Sequence, residues 1–157
     1  MPEKSKGFSL VEILIVIGVI GLILTVVFFS LNAKQKETRD VKRVSDMNML
    51  RNALEVVKNQ TGGYDRSFCD LSVVSACAKK ENSELLKFIP ELKKLNDPDE
   101  ISKSCADKNV CVSNNCNYAF SKLDGEDYEI RFHLEKGVDD FPVKGCYIAT
   151  PQGIRKL

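Results

Sequence analysis

Three sets of residues in this chain have the type and setting to do chemistry. The first is a lone acid. From Phe8 to Leu31 the sequence reads FSLVEILIVIGVIGLILTVVFFSL, and Glu12 is its one ionisable side chain. A carboxylate at mid-membrane costs about 2.5 to 3.5 kcal/mol on insertion scales, so it marks a functional position and requires a cation. The second set is six cysteines, Cys69, Cys77, Cys105, Cys111, Cys116 and Cys146, all beyond the apolar run. An even count on the far side of a span predicts disulfides in an oxidising compartment. Zinc is the rival, but its short-spaced cysteine pairs are missing and His133 is the one histidine. Six cysteines allow many connectivities, and the expectation adopted is Cys69 with Cys77 and Cys116 with Cys146. The third set is the carboxylates Asp124, Glu126, Asp127, Asp139 and Asp140. They lack regular calcium-ligand spacing and read as solvated turns, with Asp139 and Asp140 the weak calcium candidates and no other cofactor expected.

Catalysis finds no support in these residues. His133 alternates onto the wet side of its predicted strand with no nucleophile beside it, and phosphate-binding glycine loops are missing. Nucleic acid is not an expected partner either. Lys+Arg 23 against Asp+Glu 22 leaves a formal charge of +1, too little for a basic field.

The elements that must position these residues follow from periodicity. At 1.5 Å per residue the apolar run makes a helix of about 36 Å, enough to span a hydrocarbon core of about 30 Å with tilt. The first proline after Pro2 is Pro90, so nothing forces a break at the membrane boundary. Val41, Val44, Met47, Leu50, Leu54 and Val57 carry a three-or-four spacing onward, one apolar stripe on an otherwise charged helix. Gly62-Gly63 is the natural stop. Two helices jointed near Ser30 to Lys34 are the alternative. Gly18 and Gly21 either loosen the span or let another helix pack closely.

Beyond residue 64 the chain predicts a small head. Ser83 to Leu95 reads as a short helix with Ser83 as cap and Pro90 as kink or end, and Asn96 to Asp99 as a turn. Strands are predicted at Tyr118 to Phe120, at Tyr128 to Leu134 and at Cys146 to Thr150, with a hairpin signal at Asp124-Gly125. Tyr128, Ile130, Phe132 and Leu134 form the apolar face, and the stripe at Val41 to Val57 is the element expected to cover it.

Residues 4 to 12, KSKGFSLVE, set the lone acid in a specific sequence context. A short basic leader, a glycine, a phenylalanine and a glutamate five residues after that glycine resemble the prepilin family of type IV pilins and type II secretion pseudopilins. That resemblance implies cleavage between Gly7 and Phe8 by a prepilin peptidase, which also N-methylates Phe8. It further implies that the new amine, largely protonated at neutral pH, meets Glu12 of a neighbouring copy as helices stack into a filament. The partners implied are copies of the same chain, the peptidase and N-methyltransferase, an inner-membrane assembly platform with its ATPase, and the bilayer before assembly. The segment TRDVKRVSDMNMLRNALEVVKNQTGGY, residues 38 to 64, is similar to the second half of the helix in major pseudopilins. Leu95, Asp97 and Pro98 weakly resemble a turn of that group, and the mid-span proline of many members is missing.

The expectation is thus an α+β chain, a long N-terminal α-helix packed on a small antiparallel sheet. Residues 1–7 form the leader, 8–31 the transmembrane and filament-core helix, 32–63 its amphipathic continuation and 64–157 a disulfide-bonded head. The implied location is the cytoplasmic membrane, single-pass with an exported C-terminal part, and later a surface or periplasmic filament. One rule points the other way. Lys34, Lys36, Arg39, Lys42 and Arg43 outnumber Lys4 and Lys6, which by positive charge alone would keep the C-terminal part in the cytoplasm. Glu37, Asp40 and Asp46 among them read as a solvated charged face or as lateral ion pairs between helices. Three functions are open: a pilus subunit, a secretion pseudopilin, and a membrane-anchored binding protein that never polymerises.

Overall fold

The computed structural model describes residues 9–64, 69, 73–79, 84–99 and 101–157. Helix α1 runs Leu10–Thr61 without interruption through Gly18, Gly21 and the stretch from Ser30 to Lys34. The two-helix alternative is therefore set aside. By its contacts the chain forms two units, residues 1–35 and Lys36–Leu157. The first contains the apolar turns of α1. The second contains its remaining turns and the head.

Helix α1 ends where two glycines allow it to. The Gly62 N–H reaches the Lys58 carbonyl at 2.8 Å with φ at 85°, a left-handed stop suited to glycine. The Tyr64 N–H then bonds to the Gly125 carbonyl at 3.0 Å, and a Cβ on Gly63 would stand 2.6 Å from that same oxygen. Only glycine lets the chain leave the helix this close to a hairpin.

That hairpin opens a four-stranded antiparallel sheet in the order β1-β2-β3-β4: β1 Ala119–Leu123, β2 Tyr128–Leu134, β3 Gly145–Thr150 and β4 Gly153–Lys156. The β1–β2 loop is closed by the Asp124 N–H on the Asp127 carbonyl at 3.0 Å, as the Asp124-Gly125 signal anticipated. A bulge falls between Phe120 and Lys122. Strand β4 escaped the sequence reading because it is short, half-exposed and polar at its end, with little apolar alternation to announce it.

The sheet is covered on both faces around His133, which overturns the wet-side expectation for that residue, although Glu129 and Arg131 remain half-buried. On one face Tyr128, Ile130, Phe132 and Leu134 join Met47, Leu50, Leu54 and Val57 of α1 in the main core. On the other, α3, Lys108–Ser113, packs over β2 and β3. His133 is 1% exposed, with Nδ1 2.6 Å from the Cys111 carbonyl oxygen. Helix α3 is capped by Asp107, whose carboxylate accepts the Asn109 N–H. The helix is only six residues long, too short for a periodic pattern to reveal.

Cysteines hold this second layer. Two bridges lie in it, Cys105–Cys116 and Cys111–Cys146, and a third, Cys69–Cys77, belongs to the main core. The expected Cys116–Cys146 pairing is thereby replaced. Cys146 lies opposite His133 on β3, under α3, so its partner is the cysteine that α3 points inward, Cys111. Between α1 and the sheet, the predicted helix from Ser83 to Leu95 divides into α2, Glu84–Phe88, and a 3-10 turn, Leu92–Lys94, separated at Pro90. The proposed Ser83 cap lies outside the described residues.

Candidate functional site

Two sites emerge, one in each unit. In the first unit the apolar part of α1 has no packing partner among the described residues. Every large apolar side chain from Leu10 to Leu31 is at least 46% exposed, and an 18-residue window reaches a mean hydropathy of 3.0 with none of it buried. A soluble protein does not leave such a surface to water. Glu12 sits in the first turn of this helix beside Ile13, Val16 and Ile17, with its N–H on the Ser9 carbonyl at 3.0 Å. Thr25 hides its hydroxyl by donating to the Gly21 carbonyl at 2.8 Å, which leaves Glu12 as the conspicuous polar group. A Cβ added at Gly18 or Gly21 would meet nothing, so both leave bare backbone along the helix surface. Gly7 and Phe8 lie outside the described residues.

The second site is a buried ion cluster in the head that sequence reasoning missed. Arg43, fully shielded from solvent, donates from Nε and Nη2 to the two Asp97 oxygens, each at 2.7 Å. Its Nη1 donates to Asp40 Oδ1 at 2.7 Å and to Glu135 Oε1 at 2.6 Å. Arg39 grips Glu135 through two further bonds and approaches Asp99 at 3.0 Å. The expected solvated face at Asp40 and Asp46 is corrected here. Asp40 accepts the backbone N–H groups of Glu135, Lys136 and Gly137 at 2.8 to 2.9 Å, and Asp46 accepts the Tyr118 hydroxyl at 3.0 Å. Gly137 takes φ of 101° in this cradle, and a Cβ there would collide with the Phe141 and Pro142 backbone.

The signal for this cluster was present. Residues 40, 43, 47, 50, 54 and 57 alternate steps of three and four, the true inward line of α1. Choosing Val41 and Val44 by residue type moved the stripe off that line, and Val41 is 54% exposed.

The electrostatics follow from the packing. Burial alone would disfavour charge on Arg43, but bonds to Asp97, Glu135 and Asp40 outweigh it and its pKa rises above the ordinary arginine value. Burial would raise the Glu135 carboxyl, but the hydrogen bonds from Arg39 and Arg43 prevail and lower it to about 2. Desolvation pushes Asp46 above the usual carboxylate range and His133 below its usual 6.5. With Nδ1 facing a carbonyl it must be the protonated nitrogen, and Nε2 is left buried without a partner among the described residues.

The remaining candidates are not gathered into a site. Asp139 and Asp140 are exposed at the tip of the turn closed by Val138 and Phe141. Among the described residues the one trio with converging ligand atoms is Cys105, Cys111 and Cys116, within 4.8 Å. Each of these is tied in a disulfide, so no thiolate is offered to a metal.

Residues 3–28 match the model of the prokaryotic N-terminal methylation motif. This interval contains Gly7, Phe8 and Glu12. The N-terminal segment is of the pilin and pseudopilin type. A relative is type II secretion system core protein G of Escherichia coli (strain K12), 38% identical over 62 residues. That match covers 40% of this chain and 43% of the relative, so the chain spans less than half the length of the curated protein it matches. No solved structure matches the chain significantly. The prepilin-type segment and the helix-on-sheet head together make a pilin-like α+β arrangement. Pilins and pseudopilins are structural subunits and not enzymes.

Proposed function

We propose that this chain is the structural subunit of a type IV pilus-like filament. A prepilin peptidase cuts between Gly7 and Phe8 and methylates the new terminus. The subunit then resides in the cytoplasmic membrane with its head exported, until an assembly platform and ATPase polymerise it through residues 8–31. Residues 1–7 are the leader in this reading. The observation that carries it is the bare apolar helix bearing Glu12, within a segment that matches the methylation motif. A buried acid facing the terminal amine of the next copy specifies the stagger of stacked helices, even where desolvation cancels most of the pair's net stability. While the leader remains, the Phe8 nitrogen is a neutral amide and offers no charge.

The three bridges support a head exposed outside the cell, hence a surface filament serving adhesion, motility or DNA uptake. The identity to core protein G favours a second reading, a pseudopilin of a secretion system. Deleting the chain's gene in its native host and imaging the cell surface tests the choice. Loss of long fibres that antibodies to the head decorate supports the pilus. Intact fibres with failed export of secreted enzymes support the pseudopilin. No effect on either leaves the plain membrane anchor.

A further inference from the structure

Two of the three bridges converge on one place. Cys105, Cys111, Cys116 and Cys146 share a buried cluster beside α3, none more than 3% exposed, whereas Cys69 and Cys77 belong to the main core. The sulfurs of Cys105, Cys111 and Cys116 stand within 4.8 Å of one another, and Cys146 joins them through Cys111. Contacts that involve no sulfur position each of the four. The β2–β3 ladder sets Cys146 opposite His133, and the Asp107 cap fixes the start of the helix that carries Cys111. His133 Nδ1 holds the Cys111 carbonyl at 2.6 Å. The Cys105 N–H donates to the Asn117 carbonyl at 2.9 Å, which brings Cys105 beside Cys116. The backbone by itself thus gathers these four side chains.

We propose that in the chain whose bridges have not yet closed, these four thiols form a tetrahedral zinc site, an inference independent of the filament reading. Cysteine is synthesised as a thiol, so this state precedes the bridged one and needs no reductant. The short-spaced pairs of the usual zinc motif are missing from the sequence, and here the fold supplies the convergence. Zinc binds thiolates at about 2.3 Å, which sets tetrahedral sulfurs about 3.8 Å apart. The Cα separations of 5.1 Å for Cys105 and Cys116 and 5.2 Å for Cys111 and Cys146 let the now-bonded sulfurs part to that spacing by side-chain rotation. Binding exchanges four thiol protons for one Zn²⁺ without a change of oxidation state, and it leaves two negative charges. Arg131 stands ready to offset them. Its Nη1 donates to the carbonyl of Ala106, next to Cys105, at 2.6 Å, and its buried Nε has no partner among the described residues. Four protein ligands close the site, so its role is structural: it holds α3 on the sheet and keeps these thiols from pairing with Cys69 or Cys77. Metal and bridges exclude each other, since a bonded sulfur is no thiolate.

The test uses the full chain in detergent micelles, reduced with a phosphine under anaerobic conditions and titrated with Co²⁺ as a coloured stand-in for zinc. One equivalent should give the sulfur-to-cobalt charge-transfer band and the visible bands of a tetrahedral site, and Zn²⁺ should abolish both by displacement. Cys111→Ser with Cys146→Ser should weaken binding by roughly a hundredfold or more, while Cys69→Ser with Cys77→Ser should leave it unchanged. Zn²⁺ should also raise the melting temperature of the reduced chain and leave that of the oxidised chain where it is. A metal that folds the layer and a metal that enters a folded layer give the same bands. A reduced chain that shows none therefore overturns the site, whether or not it is folded before metal is added. Bands that survive the loss of Cys111 and Cys146, or vanish with the loss of Cys69 and Cys77, overturn it too.

Discussion

Arg43 and Asp97, 54 positions apart, meet through two parallel hydrogen bonds of 2.7 Å with both side chains fully shielded from solvent. This pair ties the middle of the long helix to the loop after the Leu92–Lys94 turn. Glu135 brings the end of β2 to the same guanidinium at 2.6 Å. One planar side chain thus fixes three distant segments, which suits arginine and no other residue.

Replacing Arg43 by leucine should therefore destabilise the head by about 3 to 5 kcal/mol, since Asp97 and Asp40 would remain buried without their cation. Arg43→Lys should recover only part of this, because an ammonium cannot make the two-pronged contact. Urea titrations of the full chain in detergent micelles measure both. The double replacement Arg43→Leu with Asp97→Leu should be milder than the two single losses combined.

The same cluster sets an acid limit. The folded Glu135 pKa of about 2 lies below its ordinary 4.5, so its stabilisation is complete above about pH 4.5 and is lost as pH falls towards 2. His133 has the same sign at higher pH. Its folded pKa is depressed, so the unfolded state binds the proton more readily and stability begins to fall below about pH 6.5. His133→Asn, which keeps a donor for the Cys111 carbonyl, should flatten the pH dependence of melting just below about pH 6.5 without changing the loss due to Glu135 below about 4.5.

The disulfides make a third prediction. Peptide mapping under non-reducing conditions should recover Cys105–Cys116 and Cys111–Cys146 as separate bridges, with no Cys116–Cys146 link. Removing the Cys111–Cys146 bridge by paired serine substitution should cost about 2 to 5 kcal/mol and release α3 first.

How far the sequence revealed this molecule differs by element. The long helix, its glycine stop, strand β2 and the Asp124-Gly125 hairpin were legible because each depends on local periodicity or turn chemistry. Residues 4 to 12 disclosed the processing motif because its combination of types is rare. Arg43, Asp40, Asp97 and Glu135 were not read as a cluster, because hydropathy ranks charged residues as exposed. Besides local contacts such as the Arg43–Asp40 pair within α1, the partners that compensate their burial lie 54 to 97 positions away. His133 was misplaced for a related reason: strand alternation tells which residues share a face, but not that a short helix covers the second face.

Glu12→Ala removes the acid without disturbing the apolar length of the helix, so membrane insertion should be unchanged while filament yield falls severely. Fractionation of membranes and of sheared filaments measures the two separately. Equal filament yield from wild type and variant would count against Glu12 as the residue that sets register.

The most direct test of the central claim is the intact mass of the chain recovered from assembled material of its native host. The account predicts a species that begins at Phe8, lacking residues 1–7 and carrying one added methyl group on the terminal nitrogen. Assembled material that still begins at Met1 would contradict it, because the Phe8 nitrogen would then be an uncharged amide with nothing to offer Glu12.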